Sequence, residues 1–218
     1  MQRTPAPLLG AALLLAALAG FVDALAYSSL GGFFASFMSG NTTRLGIGLG
    51  AHNSHDAFIA GSLILSFITG IILSAIACDA VARHAEAAAM LLVTALLCIA
   101  AGFKMFGFDR IAILCLAGAM GAENGVFGRD GTVKIGLTYM TGTLVRFGQR
   151  LAAALMGKST GFAWIKDLLL WLGFLGGVTL GANVYLHTTD TSFWYAALGA
   201  AVLTVVIGTM ARWGLLER

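Results

Sequence analysis

Charged side chains are scarce in this 218-residue sequence: Asp, Glu, Lys and Arg together make up 11% of it. A soluble domain carries about 25%, whereas this chain is 59% hydrophobic with a mean hydropathy of +0.89. That excludes a water-soluble fold, and with it a soluble catalytic or nucleic-acid-binding domain. Cysteine is also sparse. Cys78, Cys98 and Cys115 stand singly in or beside apolar runs with no C-x-x-C spacing, so neither a zinc site nor a disulfide framework is expected; they read as small buried hydrophobes. No G-x-S-x-G elbow and no phosphate loop occurs, and no His pairs with Glu at zinc-protease spacing. His52, His55, His84 and His187 fall in predicted loops. No enzyme, metal or cofactor is therefore expected, and no nucleic-acid partner.

What the sequence does have is long apolar runs, at roughly 8–30, 57–78, 87–103, 109–128, 162–186 and 191–211. As helices each reaches across about 30 Å of hydrocarbon. The expected fold is an all-α polytopic bundle in a lipid bilayer, a single integral membrane domain over 1–218, with six full spans. Two further segments, 33–50 and 132–156, are more polar. Arg3 followed by Leu8 to Leu18 and Ala24-Leu25-Ala26 resembles a signal peptide. The internal repeat described next gives Gly20 to Ala24 a counterpart deep in the chain, so this first segment is expected to stay.

Both polar segments carry the same phrase. Met38-Ser39-Gly40-Asn41-Thr42-Thr43-Arg44-Leu45-Gly46 is matched by Met140-Thr141-Gly142-Thr143-Leu144-Val145-Arg146-Phe147-Gly148. A shift of 101 aligns Gly20–Ala24 with Gly121–Gly125, and a shift of 107 aligns Phe67, Gly70, Ser74 and Ala75 with Phe174, Gly177, Gly181 and Ala182. Blocks in one order at nearly constant offset predict a duplicated unit, with halves of about 8–105 and 109–213. If the polar segments are broken, re-entrant or short helices, each half has three spans and the halves are inverted. If they cross, there are eight spans and the halves are parallel.

Positive charge satisfies both plans. With eight crossings Lys104, Arg110, Arg150, Lys158, Lys166 and Arg212 fall inside with Arg3 and Arg218; with six, Arg83, Arg129 and Lys134 move in while Lys104 and Arg110 move out. Both put the termini in the cytoplasm and His187-Thr188-Thr189-Asp190 outside. The inverted plan is preferred, because unwound glycine-containing backbone at membrane depth survives only where protein or a cavity encloses it.

Polar groups in such a chain are costly unless used, about 2.5 to 3.5 kcal/mol for a lone charge at the bilayer centre. The candidate site gathers Asp23, Ser39, Gly40, Asn41, Thr42 and Arg44 from the first half and Glu123, Asn124, Thr141, Gly142, Thr143 and Arg146 from the second. The expected pairs are Asp23 with Arg44 and Glu123 with Arg146, facing the interior. Gly40 and Gly142 read as helix breaks that free N–H groups for an anion, or as close packing positions. Gly173, Gly177 and Gly181 read as packing.

Four blocks carry a resemblance: Gly20-Phe21-Val22-Asp23-Ala24, Met38-Ser39-Gly40-Asn41, Gly121-Ala122-Glu123-Asn124 and Tyr139-Met140-Thr141-Gly142-Thr143-Leu144. In this order the chain resembles the YoaK family, bacterial membrane proteins defined by a domain of unknown function. The resemblance implies a multi-pass inner-membrane protein of about six helices and no established substrate. Ser39 stands where the family usually has Thr, and Glu123 where it usually has Gln, which adds an ionisable group.

Two functions fit these residues. One is a transporter or channel-like carrier for a small anionic or zwitterionic solute, with Asp23 or Glu123 as the proton- or cation-coupling carboxylate. The other is a non-transporting scaffold whose polar pairs fix helix register and contacts in a homo-oligomer.

Overall fold

The computed structural model describes residues 6–81, 84–126, 128–129, 132–133, 139–158 and 162–215. Arg3, Arg83, Lys134 and Arg218, counted above for orientation, lie outside them. The apolar runs form helices α1 (Ala6–Ser29), α3 (Ser54–Ala80), α4 (Ala85–Met105), α5 (Asp109–Glu123), α7 (Ala163–Thr188) and α8 (Ser192–Arg212), and the repeated phrases form α2 (Met38–Gly50) and α6 (Met140–Leu155). Between α5 and α6, Gly128–Arg129 (β1) and Thr132–Val133 (β2) pair antiparallel. The protein is thus a helical membrane bundle.

Among the described residues five helices are long and apolar enough to cross a bilayer: α1, α3, α4, α7 and α8. The sixth expected span, 109–128, is helical only over Asp109–Glu123, about 22 Å at 1.5 Å per residue. Its place is central, since every residue from Leu116 to Glu123 is buried. Leu15, Leu25, Leu63, Met90, Leu97, Ile113, Met120, Phe193 and Ile207 complete the interior. Phe58, Leu65, Ile76, Leu180, Leu198 and Val205 are exposed around it, the apolar perimeter that lipid demands.

Glycines set two parallel contacts. On α1 and α7, a Cβ at Gly20 would strike the Phe174 carbonyl, one at Gly177 the Ala17 carbonyl and one at Gly181 the Phe21 carbonyl. On α3 and α5, a Cβ at Gly121 would strike the Phe67 carbonyl and one at Gly70 the Gly118 carbonyl. Ser66 Oγ donates to the Leu114 carbonyl (2.6 Å) and Ser74 Oγ to the Ala122 carbonyl (2.9 Å). Small residues let backbones approach where no hydrophobic effect drives helices together.

By contrast α4 and α8 are antiparallel. Thr94 and Thr204 hydroxyls meet at 2.9 Å, and at the other end Trp194 Nε1 donates to Met105 Sδ at 3.0 Å. Short turns reverse the chain from α3 to α4, α4 to α5 and α7 to α8, with Gly107 at φ 77° in the α4–α5 turn. It follows that α1 and α7 run one way and α3, α5 and α8 the other. Gly48 packs on Ala57 and Leu45 on Gly61, so α2 and α3 form an antiparallel hairpin and α2 runs with α1. The chain leaves α1, unwinds over 30–37, dips back and comes out again along α2: the segment is re-entrant.

Candidate functional site

Unwound backbone inside hydrocarbon must find its hydrogen bonds within the protein, and 30–37 finds them in the conspicuous polar residues of the sequence. Asp23 is 4% exposed. Its Oδ1 accepts from the amides of Ala35 (2.8 Å) and Ser36 (2.6 Å), and its Oδ2 from Ser36 Oγ (2.7 Å). Asn41, fully buried, accepts from the Phe34 amide at 3.1 Å and donates to the Phe34 carbonyl at 2.7 Å. Arg44 donates to the Gly32 carbonyl and, at 3.4 Å, to that of Gly31. Its guanidinium lies 3.9 Å from the centre of the Phe33 ring, a cation–π contact. Gly31 and Gly32 have φ of 62° and 100°, and a Cβ on Gly32 would meet the Arg44 guanidinium.

The expected Asp23–Arg44 pair is therefore not formed. An anion satisfies loop amides and a cation satisfies loop carbonyls, so each charge is spent on backbone dipoles of one polarity. The glycine reading changes too. Gly40 and Gly142 are not breaks; each is the third residue of an intact helix, and a Cβ there would strike the ring of the preceding N-cap residue, Phe37 or Tyr139. Ser39, Thr42 and Thr141 are exposed, and Thr42 Oγ1 donates back to the Met38 carbonyl at 2.8 Å.

In the second half, Thr143 is buried and accepts from Arg146 Nη2 at 2.9 Å. Arg146 also reaches Asp167 on α7 (3.2 Å), and Arg150 reaches the other oxygen of the same carboxylate (2.6 Å). Asp167 is 3% exposed. The expected Glu123–Arg146 pair is thus replaced by an Arg146–Asp167–Arg150 triad, with Asp167 and Arg150 absent from the sequence-based list. The signal was present: Asp167 is an acid inside an apolar run, and Arg150 follows Arg146 by one helical turn. Ser36 was also missed, as a hydroxyl in a phenylalanine-rich stretch.

Glu123 ends α5 fully buried, and neither of its carboxylate oxygens has a hydrogen-bond partner. Asp23, on neighbouring α1, is near enough to act on it electrostatically. Asn124 caps α5, with Nδ2 donating to the Met120 carbonyl at 2.9 Å. Of the twelve candidates, then, Asp23, Asn41 and Arg44 gather around 30–37; Glu123 adjoins Asp23 from α5 while Asn124 closes that helix; Thr143 and Arg146 form a separate cluster. The helices α2 and α6 rest on α3 and α7 respectively, so Arg44 and Arg146 do not share one pocket. Among the described residues no three His, Cys, Asp or Glu gather as metal ligands.

A helical bundle with long apolar spans, a re-entrant element and buried carboxyls at its centre is a polytopic membrane protein. A family model described as a protein of unknown function (DUF1275) matches residues 11–206, and the chain belongs to that family. It is 35% identical over 200 residues to the UPF0700 transmembrane protein RA0705 of Rhizobium meliloti (strain 1021), an alignment covering 89% of this chain and 84% of that protein. It is 27% identical over 164 residues to the UPF0700 transmembrane protein YoaK of Bacillus subtilis (strain 168), covering 72% and 73%. The resemblance read from the four sequence blocks is to this same family. No solved structure matches the chain.

Proposed function

We propose that the protein is a transporter or channel-like carrier of small solutes, made of two inverted repeats whose junction holds the polar site. Support for the duplication comes from contacts that recur at the sequence offsets. Moving α1 residues by 101 and α7 residues by 107 carries Leu13–Gly173 onto Leu114–Ser66 and Ala17–Gly177 onto Gly118–Gly70. It likewise carries Gly20–Phe174 onto Gly121–Phe67 and Phe21–Gly181 onto Ala122–Ser74. The opposed directions of α4 and α8 favour inversion, since parallel repeats would align them. Inverted repeats with interrupted helices at the midplane are a recurrent transporter plan.

One observation carries the functional reading: Glu123 lies buried and unpartnered beside Asp23 where the re-entrant segment enters the bundle. A charge kept there at such cost is a functional position by default. Asp23 or Glu123 is the coupling carboxylate for a proton or cation. The solute class is a small anion or zwitterion, supported by the N-termini of α2 and α6, whose N-cap residues Phe37 and Tyr139 make no side-chain cap bond. Orientation follows from charge. Arg150, Lys158, Lys166 and Arg212 fall on the side of the termini, while Lys104 and Arg110 lie opposite, Lys104 paired with Asp109 at 2.9 Å and Arg110 bonded to His55 at 2.8 Å; the termini are cytoplasmic in the inner membrane.

The test is a thermal-stability screen of purified protein against small anions and zwitterions, followed by flux into proteoliposomes with the solutes that raise the melting temperature. A solute that stabilises and is taken up, with uptake lost in Glu123→Gln, is the expected result; no stabilising solute and no flux would contradict it. The saturation of Asp23, Asn41 and Arg44 by loop backbone favours a second reading, a scaffold or homo-oligomer component, in which the same substitutions lower stability with no solute dependence.

A further inference from the structure

Resting on the transport reading, we propose that the coupling ion is a proton, that Glu123 is its binding group and that Asp23 is a fixed anchor of the re-entrant segment. The two carboxyls differ in what surrounds them. Asp23 takes three hydrogen bonds, from the Ala35 amide, the Ser36 amide and the Ser36 hydroxyl. These three donors favour its anion and use the carboxylate to tie 35–36 to α1. Glu123 takes none.

Its surroundings suit a proton and no larger ion. A metal cation needs several oxygen ligands at once, yet among the described residues neither Glu123 oxygen has a hydrogen-bond partner. Three helices pack against α5. From α1 comes Asp23, whose charge acts on Glu123. From α3 come Cys78 and Asp79, about one turn past Ser74, with Asp79 exposed; α4 brings Glu86 near its N-terminal end. The cation that α4 carries, Lys104, is paired with Asp109 at the opposite end of α5, so among the described residues no cation faces Glu123 and a proton is what neutralises it. In the cycle a proton from water adds to one Glu123 oxygen and forms an O–H bond. That bond breaks to water on the opposite side once the inverted halves exchange their facing.

Infrared difference spectroscopy of the membrane-reconstituted full chain, titrated with acid, tests the assignment without any solute. A protonated-carboxyl C=O band that is lost in Glu123→Gln and kept in Asp23→Asn is expected. A band lost in Asp23→Asn and kept in Glu123→Gln, or a wild-type spectrum indistinguishable from that of Glu123→Gln, would overturn it. If Asp23→Asn fails to fold, Ser36→Ala replaces it, because it removes one hydrogen bond from Asp23 and none from Glu123; the band must keep its frequency, and a shifted band would assign it to Asp23 and overturn the proposal. Transport is read separately. Uptake that proceeds in wild type and is indifferent to an imposed pH gradient contradicts the proton assignment alone, whereas a titrating Glu123 band with no uptake of any solute contradicts the transporter reading alone.

Discussion

Asn41 holds Phe34 by both polar groups of that residue's backbone, accepting from its amide at 3.1 Å and donating to its carbonyl at 2.7 Å. This side-chain amide stands in for a strand neighbour at a place where none exists. Substituting Asn41→Leu fills the volume and orphans a buried donor and a buried acceptor, each costing about 1 to 3 kcal/mol. The melting temperature in detergent is expected to fall well below that of Thr42→Val, whose hydroxyl only bonds its own helix; equal melting temperatures would contradict the role given to Asn41.

Glycine neighbours on α7 offer a matched comparison. A Cβ at Gly177 meets the Ala17 carbonyl, whereas one at Gly176 meets nothing within 4 Å. Gly177→Ala is expected to lose about 1 to 3 kcal/mol through forced separation of α1 and α7, and Gly176→Ala to be neutral or slightly stabilising through helix propensity. Gly70→Ala, at the corresponding α3–α5 contact, should behave as Gly177→Ala does. Thermal unfolding of the three variants checks the set.

Arg146 and Arg150 share one carboxylate. Either alone leaves Asp167 paired, so Arg146→Gln and Arg150→Gln singly are expected to be mild, since both arginines are about 40% exposed. Together they leave a buried unpaired anion, and the double variant should lose more than the sum of the singles, by a coupling of about 1 to 3 kcal/mol. Additive losses in a double-mutant cycle would mean that Asp167 does not depend on either.

How far these relationships were legible in the sequence depends on the kind of constraint. Five of the six expected spans were legible because hydropathy is a property of the chain itself, and the proposed repeat rests on self-similarity of the same kind. Polar positions such as Asp23, Asn41 and Arg44 were found for the right reason, their cost in an apolar setting, yet their partners were misassigned. Charge pairing is the simplest way to neutralise Asp23 and Arg44, but 30–37 exposes amides and carbonyls whose demand outranks it, and backbone demand leaves no mark in residue types. Gly40 and Gly142 failed differently: the aromatic residue three positions earlier was visible, but that its ring folds over the glycine is a property of the helix start. Asp167 lay in plain view inside an apolar run and was passed over because it has no counterpart in the first half, where Ala60 stands at the matching offset.

The central claim is that α1 and α3 run in opposite directions through the membrane because 30–50 re-enters and does not cross. Single cysteines at His52, in the α2–α3 turn, and at Thr189, in the α7–α8 turn, in a chain with Cys78, Cys98 and Cys115 replaced, test it through labelling of intact cells with a membrane-impermeant maleimide. Both positions are predicted to label from outside, with a cysteine at Lys158 protected until the membrane is opened. Labelling of Thr189→Cys with protection of His52→Cys would mean that α2 spans the bilayer, and the inverted architecture would be contradicted.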